Sequence, residues 1–227
     1  MLNAKSILDS LVGSLGQVAS GQGAKGLTDK AKEVWNTQST LGKGAIAGGL
    51  LGVLLTQGGR RLLGTGVKIG GAALIGGLAY QAYEDWKAGK KTGAPFDPEV
   101  AAKGDFLPDD PEAADDLATR ILQAMIAAAK ADGHVTDDDR ARIIAHLATL
   151  GFGAAVDALI TAELDTPPDA ARVAALARTE QEAAELYAAS LLVVDEASAS
   201  AVAYLAALAA ALRLDPGLVA HLHAKAA

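Results

Sequence analysis

Residues 41–86 read LGKGAIAGGLLGVLLTQGGRRLLGTGVKIGGAALIGGLAYQAYEDW. Between Leu41 and Tyr80 this stretch holds 13 of the chain's 25 glycines, interleaved with Ala, Leu, Ile and Val. Each glycine costs a helix about 1 kcal/mol against alanine. A helix built this way must recover the loss through close backbone packing or through a bilayer. Gly44, Gly48 and Gly52 fall four apart, and Gly66 and Gly70 repeat the step. That spacing lays a smooth groove along one helix face, which a second helix can approach closely. These five glycines are candidate packing residues, within one chain or between copies of it.

The stretch contains two apolar runs. Gly44 to Gln57 has 14 residues, about 21 Å as a helix, which is short of a bilayer core of about 30 Å. Gly58-Gly59-Arg60-Arg61 ends it. Leu62 to Tyr83 has 22 residues, about 33 Å as a helix, and its one charge, Lys68, lies near enough to the start to snorkel. Tyr80, Tyr83 and Trp86 lie three apart at the far end, where aromatic side chains often mark a membrane interface. One membrane span is therefore permitted. The alternative is a glycine-rich helical hairpin folded in water against the rest of the chain. Neither Gly42-Lys43-Gly44 nor Gly64-Thr65-Gly66 has the spacing or the preceding strand of a phosphate-binding loop.

Outward from this stretch, the chain divides into residues 1–40, 41–87, 88–109 and 110–227. The first section carries an amphipathic helix over 3–19, with Ile7, Leu8, Leu11, Val12 and Leu15 on one face. It suits docking on a neighbour or lying in a membrane interface. Asp9 interrupts the apolar core that a secretory signal would need. The glycine-rich section 41–87 is the candidate membrane anchor. Residues 88–109, rich in Gly, Pro and charge, read as a linker.

Net charge is −7, unevenly spread. Residues 1–95 carry 11 Lys/Arg against 5 Asp/Glu, and residues 96–227 carry 9 against 22. A basic, glycine-rich first part suits anionic lipid headgroups. The acidic second part lacks the basic, aromatic-laced surface of a nucleic-acid binder. With no cysteine, disulfides and thiolate metal sites are excluded. Aromatic residues make up only 4% of the chain and alanine is abundant, which favours helices over strands.

From Asp110 the helix signals are clear. Asp109 or Asp110 caps, Pro111 suits the first helical position, and acidic residues fill the first turn. That helix reaches Ala131. A second follows Thr136 and stops at Gly151. Others cover about 153–164 and 169–177. Thr179 with Glu182 opens a fifth that reaches Val193, Ser198 opens a sixth, and Asp215-Pro216 opens a last short one. The fold class is all-α. The segments AAAKADGHVTDDDRARIIAHL and AASLLVVDEASASAVAYLAAL both read helix, aspartate, polar loop, helix, with Asp132 and Asp195 in like positions. Such an echo suggests two related helical hairpins packed together.

Those residues carry a resemblance. AMIAAAKADGHVTDDDRARI and SLLVVDEASASAVAYLAALAAALRLDPGLV resemble the TerB-like (tellurite-resistance) fold. With the glycine-rich region before it, the chain looks like the YebE-like bacterial inner-membrane proteins. The resemblance implies a compact seven-helix domain, a bacterial source and a link to envelope or tellurite and metal stress, without implying a reaction. It also implies an acidic patch that takes a divalent metal. Asp132 and Asp139 match the family's Asp and its later Glu, and Asp195 matches in the second half. Ala201 stands where the next acidic residue would be.

Read from the residues alone, Asp132, Asp137, Asp138 and Asp139 offer oxygen ligands for Ca²⁺ or Mg²⁺. Aspartates at a helix start equally serve as caps and dipole partners. The spacing is not that of an EF-hand. His221 and His223 lie two apart and so point to different helix faces. No nucleophile, base and pocket converge, so no enzyme is expected. The sequence reading is a non-enzymatic protein associated with the bacterial inner membrane. Its acidic, cytoplasmic helical domain binds a protein partner or a divalent ion, and no nucleic acid. The alternative is a soluble ion-sensing or scaffold module, with the glycine-rich hairpin packed on the helical domain or mediating homo-oligomers.

Overall fold

In this computed structural model the described residues are 71–97, 100, 102–106, 108–131, 154–194 and 198–226. Among them every regular element is helical, as the alanine-rich, aromatic-poor composition implies. In chain order these are α1 (Gly71–Lys87), a 3₁₀ turn (Gly104–Phe106), α2 (Pro111–Ala131), α3 (Ala154–Asp165), α4 (Ala170–Ala174), α5 (Glu180–Val193), α6 (Ala199–Ala211) and α7 (Pro216–Ala226).

The helix starts follow from local chemistry. The first N–H groups of a helix lack intrahelical partners, and short oxygen-bearing side chains supply them. Asp110 accepts from the Ala113 N–H at 2.8 Å. Asp169 accepts from Ala171 and Arg172, Thr179 from Glu182, and Ser198 from Ala201. Helix α5 is buried on all sides from Ala183 to Val193, the mark of a central helix. Helices α1, α2, α6 and α7 surround it.

Helix α1 is part of this bundle. Leu74, Ile75, Leu78, Ala79, Ala82 and Tyr83 are buried in the same core as α2 and α5. Each of the larger side chains contributes about 1.5–3 kcal/mol on burial. Tyr80 and Tyr83 pack on Phe106 with ring centroids 5.7 and 5.5 Å away. The Tyr83 hydroxyl donates to Glu180 at 3.0 Å, and the Trp86 indole N–H donates to Asp215 at 3.2 Å. This corrects the sequence expectation for the second half of the 62–83 run. From residue 74 onward its apolar side chains meet protein, and Tyr83 and Trp86 find their polar partners, Glu180 and Asp215, elsewhere in the bundle instead of at a lipid headgroup layer. No helix among the described residues is long and apolar enough to cross a membrane. Gly44, Gly48, Gly52, Gly66 and the helix expected over 3–19 lie outside the described residues, as does Gly70.

The segment after α1, read from sequence as a linker, is fastened. Gln81 donates to the Asp97 carbonyl at 2.6 Å and accepts from the Asp97 N–H at 2.9 Å. Ala102 and Phe106 enter the core. Lys225, buried near the end of α7, pairs with Asp85 at 2.7 Å and donates to the Pro95 carbonyl at 3.3 Å. The Lys225 and Lys90 ammonium groups that hydrogen-bond the Asp85 carboxylate hold its pKa below the ordinary value. Gly76 sets the closeness of the whole arrangement. A Cβ there would overlap the Phe106 carbonyl oxygen and lie 3.1 Å from Glu185 Oε1.

The two adjacent glycines of α1 should therefore respond oppositely to the same substitution. Gly76→Ala is expected to lose about 1–3 kcal/mol through overpacking against backbone. At Gly77 the new methyl would meet the Phe96 ring at 3.4 Å and the Val100 carbonyl at 3.8 Å, both ordinary contacts, so Gly77→Ala should be neutral or gain up to about 1 kcal/mol of helix propensity. Urea midpoints of the two variants check this.

Candidate functional site: a parallel helix pair and its ionic network

The sequence-nominated ligands Asp132, Asp139 and Asp195 lie outside the described residues, but the helices that lead to them do not. Arg120 of α2 meets Glu182 of α5, and the Ala124 carbonyl lies 3.5 Å from the Ser190 hydroxyl. Residue numbers rise together along both helices, so α2 and α5 run parallel. Their C-terminal ends, Ala131 and Val193, stand at the same end of the bundle. Asp132 directly follows one, and Asp195 follows the other two residues on. Each helix end carries roughly half a negative charge from its aligned peptide dipoles. Two parallel ends reinforce one another and favour a cation. Among the described residues no three His, Cys, Asp or Glu side chains gather as a metal site.

The opposite end of the pair holds an ionic network. The Arg120 side chain is 8% exposed. It grips Glu182 with two parallel bonds of 2.5 and 2.9 Å and also donates to the Leu176 carbonyl at 3.0 Å. Asp116 lies 3.3 Å from Arg120 and 2.6 Å from Arg178. The Arg178 backbone N–H donates to Glu182 at 2.6 Å. Burial pushes the Glu182 pKa up, but the bonds from Arg120 and Arg178 outweigh it and hold the carboxyl below its ordinary range. The planar guanidinium fork suits this two-point grip. The sequence shows Thr179-x-x-Glu182 only as a helix start. Glu182 does more: its N–H bonds to Thr179 while its carboxylate clamps α2.

A second network sits between α3, α4 and α6. Glu163, 4% exposed, pairs through both oxygens with Arg172. Lys130 donates to the carbonyls of Glu163 and Thr166 and so satisfies the end of α3. The Tyr204 hydroxyl is buried nearby without a hydrogen-bond partner, and burial pushes its pKa far up. His221 and His223 face different surroundings, as their spacing implies. His221 lies between the carbonyls of Gly217 and Lys90, and His223 meets the Tyr187 hydroxyl.

Comparison with known proteins now places the chain. Residues 40–226 match the family described as "Protein of unknown function (DUF533)". The chain belongs to the DUF533 family. That family is TerB-like, in agreement with the resemblance carried by the Ala-Asp-Gly segment. The chain is also similar to an "Uncharacterized protein in ampR 5'region" of Yersinia enterocolitica. Identity there is 33% over 100 residues, covering 44% of this chain and 72% of that protein. No solved structure matches.

In this DUF533 chain the Arg120–Glu182 clamp has a clear mutational signature. Arg120→Ala strips the half-buried Glu182 carboxylate of its guanidinium partner, leaving it the Arg178 N–H, and is expected to cost up to about 3 kcal/mol, whereas the paired apolar replacement Arg120→Met with Glu182→Leu should cost less. Because the folded Glu182 titrates below its ordinary 4.5, its contribution is full above that pH and disappears as pH falls through the folded value. Acid titration of stability should therefore be shallower in Arg120→Ala than in the unaltered chain.

Proposed function

We propose that this protein is a non-enzymatic binding module whose ligand is a divalent cation, Ca²⁺ or Mg²⁺. The cation is taken by Asp132, Asp139 and Asp195 at the common C-terminal end of α2 and α5. The observation that carries this reading is the parallel course of the two helices, which brings two negative helix ends to one end of the bundle, each followed within two residues of sequence by an aspartate. Oxygen ligands of this kind suit hard cations. A basic protein partner reads the same charge and is the other ligand the acidic domain would take. Calorimetry of the full chain against CaCl₂ and MgCl₂ tests the cation. Saturable heat is expected, reduced in Asp132→Asn and abolished with Asp195→Asn added. No heat from either salt would remove the ion.

The first 70 residues supply the second half of the reading, attachment. They carry 8 Lys/Arg against 3 Asp/Glu and most of the glycines, a composition suited to an anionic membrane surface such as the cytoplasmic face of a bacterial inner membrane. Because α1 is locked into the bundle, whatever holds residues 1–70 also holds the acidic domain close by. The surface of α6 favours self-assembly by the same segment. Val202 is 47% exposed, and Ala203, Ala206, Ala207 and Ala210 are exposed beside it with no charge among them. Such a face admits a glycine-spaced helix closely. The full chain should float with anionic vesicles or form oligomers, while a chain beginning at Gly71 does neither. A full chain that stays monomeric and sediments away from vesicles would defeat both forms of attachment.

A further inference from the structure

Glu185 sits near the middle of α5 and is 0% exposed. Both of its carboxyl oxygens are buried with no hydrogen-bond partner. A buried, unpaired carboxylate costs several kcal/mol, and a group so placed usually takes a proton instead. The surroundings show which elements depend on that proton. Gly76 of α1 brings its backbone against both Glu185 Oε1 and the Phe106 carbonyl of the 3₁₀ turn. A carbonyl oxygen can only accept, and a carboxylate can only accept. Three elements thus meet where the Glu185 carboxyl and the Phe106 carbonyl, both acceptors, crowd the same glycine. Space is too tight there for a coordinated metal: a single added methyl at Gly76 already overlaps the Phe106 oxygen.

We propose that Glu185 is a proton latch: as a neutral acid it lets α1 and the 3₁₀ turn close on α5, and loss of its proton to solvent loosens that contact. The charged groups facing it are few. Glu182 on α5 and Asp105 on the turn oppose its ionisation, and Arg120 on α2 favours it, the last already held by Glu182. Helix α6 carries no charged residue. The titratable groups of α1 and α7 are engaged elsewhere: Tyr83 bonds Glu180, Asp85 pairs with Lys225, and His223 bonds Tyr187. Arg172 of α4 is paired with Glu163. Burial, the first cause, raises the Glu185 pKa well above its ordinary 4.5, so the proton remains through a range in which a free glutamate has lost it.

The sign is fixed by linkage. The latch is fully closed below the unfolded glutamate's range, and its contribution falls as pH rises toward the folded value. This is opposite to the acid loss expected from Glu182 and Asp85, so the two are separable by pH. The consequence is mechanical. Helix α1 joins residues 1–70 to the acidic domain, so a proton on Glu185 controls how firmly the two are held together.

Hydrogen exchange of the full chain at about pH 5.5 and about pH 8.5, corrected for intrinsic rates, tests the latch. In the unaltered chain, protection of α1 and residues 104–106 should fall, by up to roughly tenfold per pH unit, while α6 stays protected. In Glu185→Gln, and in Glu185→Leu should the amide disturb folding, that fall should vanish. Infrared spectra of the unaltered chain should show a protonated-carboxyl band at about pH 5.5 that is missing from Glu185→Gln. Equal pH dependence in both chains, equal loss in all helices, or no such band would each overturn the proposal.

Discussion

Helix α1 can lie where it does because position 76 has no side chain. A side chain there would run into the Phe106 carbonyl and the Glu185 carboxyl together. Glycine within a helix is a cost in isolation, about 1 kcal/mol against alanine. Here the cost is offset by bringing Leu74, Ile75, Leu78 and Tyr83 within packing distance of α5 and α7. Once that contact forms, the segment that follows has a fixed path, with Gln81 gripping Asp97 and Lys225 closing on Asp85. The glycine-rich stretch is thus divided in its use. Its last turns belong to the bundle interior.

The pair α2 and α5 organises the rest. At one end it is pinned by a two-point arginine–carboxylate clamp, and at the other its helices end, in sequence, just before Asp132 and Asp195. A clamp at one end fixes the parallel register, so the two negative helix termini remain side by side. That geometry gives the acidic domain a polarity that net charge alone does not describe.

The caps were legible because each is a local signal. Asp110, Thr179 and Ser198 begin helices where their side chains can meet an N–H two or three residues on. Helix α4 is shorter than the run 169–177 suggested, because the chain tightens at Leu176 and Ala177 into i→i+3 bonds. The fate of α1 was not legible. An apolar face spaced at 3.6 residues states that it must be covered, and does not state whether lipid or protein covers it. Tyr80, Tyr83 and Trp86 fit a headgroup layer and a bundle edge equally well, since both offer an apolar body contact and a polar tip contact. Glu185 was hidden for a related reason. In the segment EQEAAELYAAS it looks like one more surface acid, and only the arrival of α1 and the 3₁₀ turn from more than 70 residues away buries it.

The central claim is that α1 is an interior helix of the folded domain. Urea unfolding of two shortened chains, one beginning at Gly71 and one at Ala88, tests it most directly. The first should unfold in a single cooperative transition at the midpoint of the full chain. The second, stripped of α1, should lose that transition or shift it far down. If the chain beginning at Ala88 unfolded as sharply and at the same midpoint, α1 would be an appendage and the account would fail.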